Sequence, residues 1–322
     1  MNEVLLSNEV IVYLLSEVLL YLLLFIAFMI TPLLIKRWDF DAFTSEQFAL
    51  EKRSYLVMTI IMFVMVLKIL LLPYFVYTID RLSDLVPGAM CAAGIIKANT
   101  YGNPLLALKI IIIFLSGLWM RLNSLDLQAK EYPYTEYKSW FFIAIFILLS
   151  VEIGLDILYF TNIETSNPVT CCSVIFGQAG GNNDLPFGLD IPKLLILFYL
   201  LYFFVVFMTF MRISIGIFLA SILFLYIAYY SVVYFYGTYI YALPTHKCPF
   251  CMLQSDYYFV GYLVWGLLLV GVFFSLDYAF GKAIFDKEFS ISKKLSLSLL
   301  TLFVALCSLY VATYYLKNGV LL

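Results

Sequence analysis

The chain has 322 residues, of which 64% are hydrophobic and only 12% charged, with a net charge of −2. Its mean hydropathy of +0.99 lies far above that of a water-soluble domain, and no cluster of Lys or Arg offers phosphate contacts. These values exclude a soluble enzyme and a nucleic-acid-binding protein. They point to an all-α, polytopic integral membrane protein whose solvent is the lipid bilayer.

Apolar runs long enough to cross about 30 Å of hydrocarbon as helices recur along the whole chain. The pattern predicts eight spans, over 10–35, 54–79, 105–120, 139–162, 192–211, 213–236, 257–280 and 295–316. The first follows "MNEVLLSNEV", where Glu3 and Glu9 stand in place of the basic start of a cleaved signal, so it is expected to remain as a span. The fifth and sixth are divided near Arg212 without a Gly or Pro turn signal, because 191–243 is far too long for one crossing. The expected organisation is one membrane domain, 1–322, built of helix pairs with cysteine-bearing loops at 80–104, 163–191 and 237–256.

Lys and Arg set the orientation. One set of connections holds twelve of them: Lys36, Arg37, Lys52, Arg53, Arg121, Lys130, Lys138, Arg212, Lys282, Lys287, Lys293 and Lys294. The other set and the C-terminus hold five: Arg81, Lys97, Lys193, Lys247 and Lys317. Both termini and the cysteine loops are therefore expected on the extracytoplasmic side of an inner or plasma membrane. That places Cys91, Cys171, Cys172, Cys248 and Cys251 on one face, while Cys307 falls mid-span as a small packing residue.

Ionisable residues inside spans are costly and so are functional candidates. They are Glu17, Lys68, Lys109, Glu152 and Asp156, with Glu152 and Asp156 four apart on one helix face. Depth matches Lys109 with Asp156, and Lys68 with Glu152 or Glu17. The group reads either as a proton relay beneath the cysteine loops or as ion pairs that fix helix packing. Asp277 is expected to reach the cytoplasmic interface. The segment "FGQAGGNNDLPFG", 176–188, reads as a loop.

The stretch "PTHKCPFCMLQ", 244–254, contains the only histidine, His246, and the pair Cys248-Pro249-Phe250-Cys251. This is the spacing of a thiol–disulfide exchange dithiol. Pro249 suits a helix N-terminus. On that reading Cys248 begins the seventh helix, where the dipole with His246 and Lys247 favours a thiolate, and Cys251 resolves. The motif resembles the membrane-embedded disulfide-forming enzymes of the DsbB and vitamin K epoxide reductase kinds. Those are built around four helices, against eight here. The resemblance implies a quinone as electron acceptor, a thioredoxin-like extracytoplasmic partner, and Cys91, Cys171 and Cys172 as relay thiols.

Two other readings use the same atoms. His246, Cys248 and Cys251, with Cys171 or Cys172, could ligate Cu(I) or Zn(II), and Met90 and Met252 would suit Cu(I). Alternatively the cysteines are structural disulfides on a transporter-like protein. The adjacent Cys171 and Cys172 are poorly placed to bond to each other. No Walker, Rossmann or Ser-His-Asp pattern appears.

Overall fold

The computed structural model describes residues 3–39, 44–89, 91–129, 132–169, 188–285 and 289–322. Among them eight helices are long and apolar enough to cross a membrane, and no strand occurs. The chain is an all-α polytopic membrane protein. Helices are the solution because hydrocarbon offers no partner to an open backbone N–H or C=O.

The elements are α1 (Asn8–Arg37), α2 (Ser45–Arg81), a short α3 (Ala92–Ile96), α4 (Gly102–Gln128) and α5 (Thr135–Thr161). After them come α6 (Ile191–Met211), α7 (Ser214–Ser231), α8 (Gly237–Tyr241), α9 (Val260–Phe285) and α10 (Ser290–Asn318). A π-helical turn, Val232–Tyr236, joins α7 to α8, so the two form one crossing. The division near Arg212 is real: Arg212 takes a left-handed conformation at φ 60, its N–H reaches Met208 O, and α7 restarts at Ser214. The seventh span starts later than the sequence suggests, at Val260 rather than 257. Tyr258 and Phe259 before it both have positive φ, which no helix tolerates.

Contacts divide the chain into two compact units, Met1–Thr170 and Cys171–Leu322. In the first, α1 packs on α2 and α5, and α4 packs on α2 and α5, closing a four-helix ring. The buried face of α1 runs Val10, Tyr13, Glu17, Leu20, Leu24, Ala27, Thr31, Leu34, alternating steps of three and four. That spacing is the interior stripe of a bundle helix. Lys68, Lys109, Glu152 and Asp156 lie on the buried faces of α2, α4 and α5. In the second unit α6 packs on α7, α7 on α9, α9 on α10 and α10 on α6, a second ring.

Candidate functional site

The first unit gathers five of its buried charges at one point, with every helix of the ring contributing. Lys68 Nζ lies 2.7 Å from Glu17 Oε2 and 2.8 Å from Glu152 Oε2. Lys109 Nζ lies 2.7 Å from both Glu152 Oε1 and Asp156 Oδ2, and 3.7 Å from Glu17 Oε1. All five side chains are buried. The sequence matched Lys109 to Asp156 and left Lys68 between two acids; in the structure Lys68 bridges both, and Glu152 sits between the two lysines.

Tyr13 was missed. It is fully buried one turn before Glu17, and its hydroxyl lies 2.9 Å from Glu17 Oε1 and 3.2 Å from Asp156 Oδ1. It also accepts from Lys109 Nζ at 2.6 Å. The signal was present in the i, i+4 spacing of Tyr13 and Glu17, but tyrosine is common in this chain and nothing local set it apart. A cavity of about 10 Å³ lies among Tyr13, Glu17, Lys68, Lys109 and Glu152, walled otherwise by Leu71, Leu72, Phe75, Ile112 and Ile113.

A second buried pair in this unit was also missed. Lys138, read from sequence as a loop charge, lies inside α5 and pairs with Asp126 of α4. Asp126 further accepts from the Tyr134 N–H at 2.7 Å, and Lys138 donates to Asn123 Oδ1 at 3.2 Å. These bonds close the α4–α5 turn. Near the other end, Cys91 is the buried N-cap of α3, whose Ala92 N–H is held by Asp80 Oδ1 at 3.2 Å. Tyr159 of α5 donates to Ile95 O at 2.9 Å, and Asn99 donates to Tyr159 O at 2.9 Å. Gly102 lets the chain turn here, since a Cβ would sit 2.1 Å from Ile96 O.

The Cys-Pro-Phe-Cys segment differs from the sequence reading. Cys248 does not open the seventh helix. The segment is a bend followed by a three-residue 3₁₀ turn, Cys251–Leu253, and α9 begins nine residues after Cys251. No helix dipole therefore favours a thiolate at Cys248. Cys248 and Cys251 are both buried, and their Sγ atoms lie within 4.8 Å of one another. Side chains clamp the backbone around them. The Tyr241 hydroxyl donates to Cys248 O and accepts the Met252 N–H at 3.0 Å, and Trp265 Nε1 donates to Pro249 O at 3.0 Å. Burial first, then the Cys251 thiol, push the Tyr257 phenol above its ordinary value, so this neighbour stays neutral.

His246 does not join the two sulfurs within 4.8 Å; its ring packs on Tyr241, centroids 4.2 Å apart. Met252 is buried between Gly237 and Gly261, and a Cβ on Gly261 would sit 2.5 Å from its Cγ. Met90, Cys171, Cys172 and residues 176–187 of the glycine-rich segment lie outside the described residues. Asp277 does not turn to the interface: it is buried and accepts from Ser292 Oγ of α10. Compared with known proteins, the chain matches no family model, no curated protein and no solved structure.

Proposed function

We propose that this membrane protein is a thiol–disulfide oxidoreductase whose exchanging pair is Cys248 and Cys251. The observation that supports it is the approach of the two sulfurs within 4.8 Å in a segment held by Tyr241 and Trp265. Forming the bond requires the two sulfurs to close from that distance to S–S bonding length. In exchange, one thiolate attacks the disulfide of a partner, forming a mixed disulfide and releasing one partner thiol. The second cysteine then attacks the first one's sulfur, forming Cys248–Cys251 and releasing the other partner thiol. Two electrons and two protons pass to the partner, and the reverse sequence reduces the pair.

The positive-inside asymmetry sets this loop and both termini on the extracytoplasmic side. With buried Lys138 removed from the count, eleven loop charges still stand against five. That face is oxidising and suits a thioredoxin-like partner. Relay by Cys91, Cys171 and Cys172, and discharge to a quinone, belong to the same proposal. A metal–thiolate reading uses the same two sulfurs, without His246, whose ring packs on Tyr241.

The test is trapping in intact membranes. Cys248→Ser and Cys251→Ser are expected to differ, one of them accumulating a mixed disulfide. The attacking thiol is the one that remains in that variant. Both positions are expected to label with an impermeant maleimide from outside after reduction. Failure of either variant to trap a partner, together with stoichiometric Cu or Zn that alkylation abolishes, would replace exchange by metal binding.

A further inference from the structure

With every carboxyl ionised, the cluster in the first unit does not balance. Three carboxylates, Glu17, Glu152 and Asp156, face two ammonium groups, Lys68 and Lys109. This leaves one excess negative charge buried within a membrane-spanning ring. The hydrogen bonds show the same shortfall. Lys68 gives its three protons to Glu17 Oε1, Glu17 Oε2 and Glu152 Oε2 at 2.9, 2.7 and 2.8 Å. Lys109 gives its three to Tyr13 Oη, Glu152 Oε1 and Asp156 Oδ2 at 2.6, 2.7 and 2.7 Å. An ammonium has no fourth donor. The Tyr13 hydroxyl is the donor that remains, and it faces Glu17 Oε1 at 2.9 Å and Asp156 Oδ1 at 3.2 Å. One proton cannot serve both.

A single added proton on Asp156 Oδ1 resolves charge and bonding together. It donates to Tyr13 Oη, Tyr13 donates to Glu17, and the cluster is neutral. A metal ion fits less well, because Lys109 Nζ already occupies the space between the three carboxyls. The adjoining cavity of about 10 Å³ has room for little more than one water.

We infer that the α1, α2, α4, α5 ring contains a proton-binding site, loaded on Asp156 and discharged through Tyr13 to Glu17. The transfer is a paired shift. The Asp156 proton moves to Tyr13 Oη as Tyr13's own proton moves to Glu17, so two O–H bonds break, two form, and the negative charge passes from Glu17 to Asp156. The groups that face this line are Tyr13 and Glu17 of α1, Lys68 of α2, Lys109 of α4, and Glu152 and Asp156 of α5. Tyr159, the next turn of α5, is committed to Ile95 O. An open surface cleft of about 560 Å³ lies at the start of α1 and the end of α2, lined by Glu3, Ser7, Glu9, Tyr77, Arg81 and Asp84 among others. Glu9 in its wall is one helical turn from Tyr13. The inference does not depend on the thiol reading.

Infrared spectroscopy of the full-length protein tests it. At neutral pH the wild type is expected to show a protonated carboxylic-acid carbonyl band that shifts when aspartate, but not glutamate, carries carbon-13. Asp156→Asn should lose the band. Glu152→Gln should lose it too, because Asp156 then ionises to balance the two lysines. Tyr13→Phe should keep the band but move it to higher frequency, having lost its hydrogen-bond acceptor. If Asp156→Asn does not fold, labelling of the wild type and of Tyr13→Phe still decides. Absence of a protonated band, with a carboxylate spectrum that responds to Na⁺ or K⁺, overturns the site; so does a band that survives Asp156→Asn.

Discussion

The two units solve one packing problem with different interiors. Each is a ring of four spans in the same solvent, and each places a buried cysteine segment between its second and third crossings. Cys91 lies ten residues past the end of α2, and Cys251 ten past the end of α8. The first unit joins its helices through a cluster of five buried charges and a tyrosine, and through the buried Lys138–Asp126 pair. The second has no Asp, Glu, Lys, Arg or His between Ser214 and Tyr241. Its interior instead packs Phe198 against Phe224, Tyr236 and Phe303 in tilted ring contacts. Hydroxyl pairs join its helices: Ser221 with Ser275 at 2.7 Å, Tyr199 with Ser308 at 2.8 Å and Tyr202 with Thr301 at 2.7 Å. The second unit keeps one buried carboxylate, Asp277 of α9, which accepts from Ser292 of α10, and otherwise joins its spans through hydroxyl and aromatic contacts. The charges of the first carry a desolvation cost that aromatic packing avoids, so packing alone does not account for them.

The comparison is sharpest where one group removes the most compensation. Lys109→Met leaves three carboxyls with one lysine and should destabilise the first unit by about 3–5 kcal/mol, the usual cost of an orphaned buried charge. Reversible unfolding in detergent measures it, and adding Glu152→Gln, which returns the cluster to one carboxylate and one lysine, should recover part of the loss. In the second unit Phe198→Leu keeps an apolar filling but loses the aromatic contacts, for about 1 kcal/mol. The smallest effect is expected from Ser221→Ala, about 0.6 kcal/mol, the average of an interhelical hydrogen bond in a membrane. If Lys109→Met cost no more than Ser221→Ala, the charges would not be compensating one another and the contrast between the units would collapse.

Much of the fold was legible because the bilayer imposes length and polarity on each span separately. The runs of apolar residues gave eight crossings, and the break at Arg212 followed from length alone. The members of the charge cluster were legible for the same reason, since Glu17, Lys68, Lys109, Glu152 and Asp156 stand out against hydrocarbon. Tyr13 and Lys138 did not stand out. Tyrosine is at home in a membrane helix, and Lys138 sat at the edge of a span, where lysines normally reach water. The conformation of Cys248–Cys251 was misread because Pro249 fits a helix start as well as it fits a bend. The choice fell to Tyr241 and Trp265, which hold the backbone from other elements.

The sequence by itself determined the solvent, the helical class and the count of crossings, because each follows from local composition measured against a fixed hydrocarbon thickness. It also determined which residues would be costly inside. Only the tertiary structure decided which faces turn inward, because helices that are apolar on all sides carry no pattern to show it. That choice brings one or two polar side chains from each of four helices into one cluster, each within 3 Å of at least one other member. Such proximity depends on the rotation and depth of every helix at once, and no single segment encodes it.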